Sequence, residues 1–222
     1  MKTYLIILIA SCFTFAQAQD HQRSIEVNGT AEIALPADQI NITVQIRTVD
    51  ASVERSKKAN EKQLKELLDI IEDAGIDPKE IRITPILIGK NYEYIDRERR
   101  HRGFFTELSV SFLIKDLSKY YELINDISKN NVYEVNRSEY LISDYEIQHR
   151  AAYEKALKAA KEKAEYMCKA LGVSLGEVLE IQENSSWQTH TAASNTISIA
   201  DAASVSGKVV IKRSVSVKFG IK

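Results

Sequence analysis

The stretch GFFTELSVSFLIK, Gly103–Lys115, alternates through Phe104, Thr106, Leu108, Val110, Phe112 and Ile114. A period of two turns one set of side chains toward a buried face, so this segment is predicted to be a strand lining a core. Asp116 follows directly and reads as the cap of a helix carrying Leu117, Tyr120 or Tyr121, Ile124 and Ile127, which Asn130-Asn131 ends. Val132, Val135 and Tyr140–Ile142 then read as a further strand.

Working back toward the N-terminus, Lys90–Arg102 (KNYEYIDRERRHR) reads as a long charged hairpin tip. Ile81, Ile83, Ile86 and Ile88 form the strand before it, with Pro85 confining part of it to an edge or a bulge. Val53–Ala74 carries Val53, Leu64, Leu67, Leu68 and Ile71 at helical spacing, and Gly75 supplies its stop. Ile40, Ile42, Val44 and Ile46 alternate strictly, as in a half-buried strand. From Ile40 the order is therefore strand, helix, strand, strand, helix, strand. That order predicts an α+β fold in which helices pack antiparallel sheets, with a ferredoxin-like core over about residues 38–143.

The flanks add a second lobe. Ser24–Leu35 places apolar residues at Ile25, Val27, Ala31, Ile33 and Leu35, with an apparent slip at Asn28-Gly29 that suggests a bulge. Pro36-Ala37-Asp38 makes a turn, so this strand and the next are expected to form a hairpin. A third helix is expected from Ser143 or Asp144 to about Leu171, with Leu157, Ala160, Ala164, Met167, Cys168 and Leu171 along one stripe. Its alanines permit close approach to a neighbour, and Gly172 ends it. Leu175–Ile181 and Val209–Phe219 read as strands, and the Ser/Thr-rich segment Glu183–Gly207 between them as a flexible loop. The long edges near Ser24–Leu35 and Val209–Phe219 are expected to pair with each other or between subunits. The whole is expected to be one compact unit over residues 19–222, with the long helix and C-terminal strands (about 144–222) appended to the core.

The first residues point to export. Lys2 precedes the apolar run Tyr4–Ala10, which continues through Phe15, and Ala16-Gln17-Ala18 fits the small-x-small rule of signal cleavage. The expectation is a cleaved signal peptide over residues 1–18 and a periplasmic or outer-membrane-associated product. Ile9-Ala10-Ser11-Cys12 supports a competing reading, a lipoprotein anchored through Cys12. If Cys12 leaves, Cys168 is the remaining cysteine and reads as a small buried apolar residue rather than half of a disulfide.

With 30 Lys+Arg against 31 Asp+Glu, the chain has no basic excess for wholesale contact with phosphate backbones, and no nucleic-acid partner is expected. His21, His101, His149 and His190 are scattered without metal-ligand spacing, and no nucleophile elbow or phosphate-binding glycine loop occurs. Neither catalytic residues nor cofactors are assigned. Two partner-binding candidates remain. The hairpin tip combines Arg97, Arg99, Arg100 and Arg102 with Tyr92 and Tyr94, a pattern that suits phosphate, anionic lipid or an acidic partner, or else a polar tip kept soluble by charge. Trp187, alone in a polar segment, reads as a lid on the core or an anchor for a partner.

Five segments in order resemble the SIMPL-domain family of bacterial periplasmic or outer-membrane-associated proteins, named after an animal protein that associates with an immune-signalling kinase. They are SIEVNGTAEIALPADQINITVQI (Ser24–Ile46), LLDIIEDAGIDPKEIRITPILI (Leu67–Ile88), GFFTELSVSFLIKDLSKYYELI (Gly103–Ile124), ALKAAKEKAEYMCKALGVSLGEVLEI (Ala156–Ile181) and VVIKRSVSVKFGI (Val209–Ile221). The Arg-rich tip and the Ser/Thr-rich loop depart from the common pattern at places where members vary. The resemblance implies an envelope location, no known set of catalytic residues, and a homo-oligomer in some bacterial members. A non-enzymatic protein acting by self-assembly or partner binding is therefore expected, its partner being a second copy, an envelope protein or an anionic membrane surface. The rival expectation is an envelope enzyme or small-ligand carrier using a cleft between the core and the third helix.

Overall fold

The computed structural model describes residues 23–183, 190–192 and 207–222. Nine strands and three helices run in the order β1 (Ser24–Pro36), β2 (Gln39–Asp50), α1 (Val53–Asp73), β3 (Ile81–Ile83), β4 (Leu87–Ile95), β5 (Glu98–Ile114), α2 (Tyr120–Ser128), β6 (Tyr133–Leu141), α3 (Tyr145–Ala170), β7 (Leu175–Glu183), β8 (His190–Ala192) and β9 (Lys208–Ile221). They form two antiparallel sheets, as the α+β reading anticipated. The larger has the order β3-β5-β2-β6, with β4 continuing the β3 edge along β5. The smaller has the order β1-β9-β7, with β8 also against β9.

In the larger sheet, the alternation of β2 and β5 sends Ile40, Ile42, Val44, Ile46, Val110 and Phe112 to a face with no solvent exposure. Leu67 and Ile71 of α1 and Leu123 and Ile127 of α2 close over it. Burying one such side chain contributes about 2–3 kcal/mol, which makes this cluster the main source of stability in the sheet. Pro85 lies between β3 and β4, on the outer edge, where its missing N–H interrupts no ladder. The helix α1 also carries two buried polar residues that apolar periodicity does not reveal, Ser56 and Asn60. Ser56 Oγ donates to the carbonyl of Thr48 at 3.0 Å and lies 3.0 Å from Thr106 Oγ1. Asn60 Nδ2 donates to the carbonyls of Ile46 and Thr106, both at 3.1 Å. Val53, expected in the apolar stripe, is exposed at the start of the helix.

The expected hairpin of the first two strands does not form. β1 pairs along its whole length with β9, from Ser24 opposite Gly220 to Pro36 opposite Lys208, while β2 lies in the other sheet. The chain changes sheets at two consecutive residues: Ala37 N–H donates to the carbonyl of Gly207 and Asp38 N–H to that of Leu141. Asp38 then accepts from the backbone N–H and hydroxyl of Ser143, which ties the crossing to the link before α3.

The expected bulge at Asn28-Gly29 is absent as well, because the β1–β9 register is unbroken there. Gly29 keeps phase with its buried neighbours Val27 and Ile33 and is small because α3 crosses directly above it. A Cβ on Gly29 would lie 2.1 Å from the carbonyl oxygen of Ala156. The contact stripe of α3 is Ala152, Ala156, Ala160, Ala164 and Cys168, one residue per turn. Leu157 and Leu171, expected on that stripe, are exposed instead. Cys168 is buried, as its reading as a small apolar residue anticipated. Most of the Glu183–Gly207 segment lies outside the described residues, but His190–Ala192 within it pairs with β9 rather than looping free.

Candidate functional site

The predicted hairpin tip is not a loop. β4 and β5 remain paired to Ile95 and Glu98, and a two-residue turn at Asp96 and Arg97, with φ of 52° and 67°, joins them. Positive φ at both central residues matches the twist of the flanking strands. β2 ends against β5 at Asp50 opposite Phe104, so Glu98–Arg102 run on without a second neighbour. The outcome is a two-stranded arm reaching out from the larger sheet.

At the base of the arm the ladder skips a residue: Lys90 lies opposite Phe104, but Tyr92 lies opposite His101. Gly103, at φ 99°, occupies the extra position, and a Cβ there would come within 2.3 Å of the carbonyl oxygen of Asp50. The arm therefore sorts its charges. Tyr92, Tyr94, Arg99 and His101 share one face, which continues the helix-bearing side of the sheet through Lys90 and Phe104. Glu93, Ile95, Glu98, Arg100 and Arg102 take the other.

On the first face, the Arg99 guanidinium stacks 3.8 Å from the centroid of Tyr92. His101 meets both Tyr92 and Phe104 edge to face, at 5.5 and 5.3 Å. Tyr94 is 77% exposed, so its ring is offered to whatever approaches. On the second face the cations are answered locally, Arg102 by Glu93 and Arg100 by Glu98, each at 3.2 Å. Arg47, which sequence reasoning passed over, braces the base. It lies 4.5 Å over the Phe105 ring, donates to Asn91 Oδ1 and pairs with Glu107. The structure thus brings together Tyr92, Tyr94 and Arg99, sets Arg100 and Arg102 behind them, and leaves Arg97 in the turn. Trp187 and Cys12 lie outside the described residues.

A second polar cluster, also absent from the sequence reading, sits under the first half of α3. Arg213 of β9 donates to the Tyr145 hydroxyl at 3.1 Å and lies 5.4 Å from the Tyr153 ring. His149 packs between Tyr145 and Tyr153, and the Tyr153 hydroxyl bonds the Glu183 carboxylate at the end of β7. Burial, and after it the Glu183 hydrogen bond, pushes the Tyr153 hydroxyl above the usual phenol range. A turn-by-turn spacing of Tyr145, His149 and Tyr153 was the available signal, but an arginine that faces inward from a distant strand has none. The cluster ties α3 to β9 and to the end of β7.

A cavity of about 880 Å³ opens between α1 and α2, lined in part by Asp73, Lys119, Glu122, Asp126 and Lys129. Lys119 already donates to the carbonyl of Ala74, and Lys129 to Asp126. None of the lining residues comes from α3, so this opening is not the expected cleft between the core and the third helix. No group of three or more His, Cys, Asp or Glu side chains gathers among the described residues, and none of the described helices is long and apolar enough to cross a membrane.

The family model described as "SIMPL: Protein of unknown function (DUF541)" matches residues 25–219. The chain is 23% identical over 159 residues to an uncharacterized protein YggE of Edwardsiella ictaluri, a match covering 71% of this chain and 66% of that protein. It is also 23% identical over 176 residues to the human interleukin-1 receptor-associated kinase 1-binding protein 1, covering 75% and 62% respectively. The matches thus span slightly less than two thirds of either relative's own length.

Proposed function

We propose that this chain, which belongs to the SIMPL family, acts as a non-enzymatic exported protein of the cell envelope that works through its surface, chiefly by self-assembly. The framework for such a module is a ferredoxin-like sandwich joined to a smaller sheet under α3. The strand order β6-β2-β5-β3 and the two helices on one face support that reading.

The observation that carries the proposal is the chemistry of the open sheet edges. Edge strands usually guard against pairing with charged residues, as β6 does with Glu134, Arg137 and Glu139. The opposite edge of the same sheet instead exposes Ile83, Ile86, Leu87 and Ile88. The β7 edge of the smaller sheet exposes Val178, Leu179 and Ile181 among its glutamates Glu177, Glu180 and Glu183. Exposed apolar residues gathered on strand edges mark surfaces that pair with another chain.

Light scattering after gel filtration of the chain from Gln19 onward tests this reading. The expected mass is a multiple of one subunit, reduced by Ile88→Lys or Ile181→Lys, which place a charge on either edge. A monomer at all concentrations overturns it.

A further inference from the structure

We propose that the helix-side face of the β4–β5 arm binds the surface of an anionic lipid bilayer. Counted along the sequence, residues 87–103 hold five Lys or Arg against three Asp or Glu, a small excess. The fold concentrates it. The arm's own residues on the face with Lys90, Tyr92, Tyr94, Arg99 and His101 include no carboxylate, and Asp50 beside Phe104 at its base is already paired with Arg55, whereas the opposite face pairs both of its arginines with glutamates. Stacking on Tyr92 holds the Arg99 guanidinium in place while leaving its edge N–H groups free for phosphate oxygens.

Shape selects the ligand. Five residues, Glu98–Arg102, extend past the last β2 contact, which at about 3.3 Å per residue projects the ribbon by about 16 Å. A small phosphate-bearing molecule needs a concave site with several convergent donors. A convex ribbon with one arginine, one lysine and exposed tyrosines suits a plane of many anionic headgroups, where each cation adds a small increment and aromatic rings rest at the interface. The inference stands whether or not the chain assembles with itself.

Co-sedimentation of the full chain with vesicles of phosphatidylcholine, with and without phosphatidylglycerol, provides the test, run at low salt. Binding is expected to the anionic vesicles and to be lost at high salt. Each basic side chain near such a surface contributes a factor of about five, so Lys90→Ala with Arg99→Ala lowers the partition coefficient about 25-fold. Arg100→Ala with Arg102→Ala removes the same charge from the other face and is expected to cost under about fivefold. Unchanged melting midpoints show that both pairs of variants fold. Equal losses from the two faces, equal binding to neutral vesicles, no binding at all, or displacement by inorganic phosphate at constant ionic strength would each overturn the proposal.

Discussion

Gly29 on β1 and Ala156 on α3 meet backbone to side-chain position: a Cβ added to Gly29 would stand 2.1 Å from the Ala156 carbonyl oxygen and 2.7 Å from the Ala160 Cβ. Helix and strand pack so closely only because alanine or cysteine recurs at each turn of the stripe from Ala152 to Cys168.

Gly29→Ala therefore forces the helix off the sheet rather than displacing a flexible side chain. Overpacking of this kind costs about 1–3 kcal/mol, and a clash with backbone belongs at the upper end. The expected result is a lower urea midpoint with the slope unchanged. A midpoint equal to wild type would show that α3 does not sit as described.

The polar pair on α1 is expected to matter as much as an apolar core residue. Asn60→Leu removes the donor to the carbonyls of Ile46 and Thr106. Each such hydrogen bond contributes about 0.5–1.5 kcal/mol net, so a destabilisation of about 1–3 kcal/mol is expected by chemical denaturation. Ser56→Ala, which strips a hydroxyl from the same network, is expected to act in the same direction.

Stability is expected to fall on the alkaline side. Burial, with the nearby Glu66 charge second, pushes the Tyr133 phenol from 10.0 up to about 12. The folded state thus retains a proton that the unfolded chain releases first. The stabilising difference is complete below pH 10 and is lost progressively as pH rises toward about 12. Tyr133→Phe removes the ionising group, so its urea midpoint is expected to decline less steeply over that window. An identical slope in the two proteins would count against the assignment.

Arg97 sits at φ 67°, a region that side chains with a Cβ occupy at a cost. Arg97→Gly is expected to relieve on the order of 1 kcal/mol of local strain. Amide exchange at Ile95 and Glu98, the hydrogen-bonded pair that closes the turn, should slow accordingly, while exchange in β2 stays the same.

Several elements were legible because their signal is local. The alternation of Ile40–Ile46 and of Leu108–Ile114 reports one buried face, and the structure buries those residues. Gly75 ends α1 as read, and Pro85 lies on an edge. The α3 stripe was misread because leucines at 157 and 171 outweigh alanines on a hydrophobicity scale, whereas close packing selects the smaller side chain. The site was half legible: Tyr92, Tyr94 and Arg99 do converge, but the cluster of Arg213 with Tyr145 and Tyr153 joins residues far apart in the chain.

By itself the sequence determined where the core strands and the helices run, because a period of two or of 3.6 states which side of an element leaves water. For β1 the sequence left two partners open, the next strand in a hairpin or the C-terminal strand, and the tertiary structure decided between them. Backbone hydrogen bonds between strands are nearly indifferent to residue type, so β1 pairs with distant β9 rather than with adjacent β2 according to which arrangement buries both apolar faces. The arm shows the same division at finer scale. Simple parity groups Arg100 and Arg102 with Phe104, but one extra residue at Gly103 shifts the phase and puts Arg99 and His101 there instead. A single bulge reverses every side chain beyond it, and its place is set by the close approach of Gly103 to Asp50.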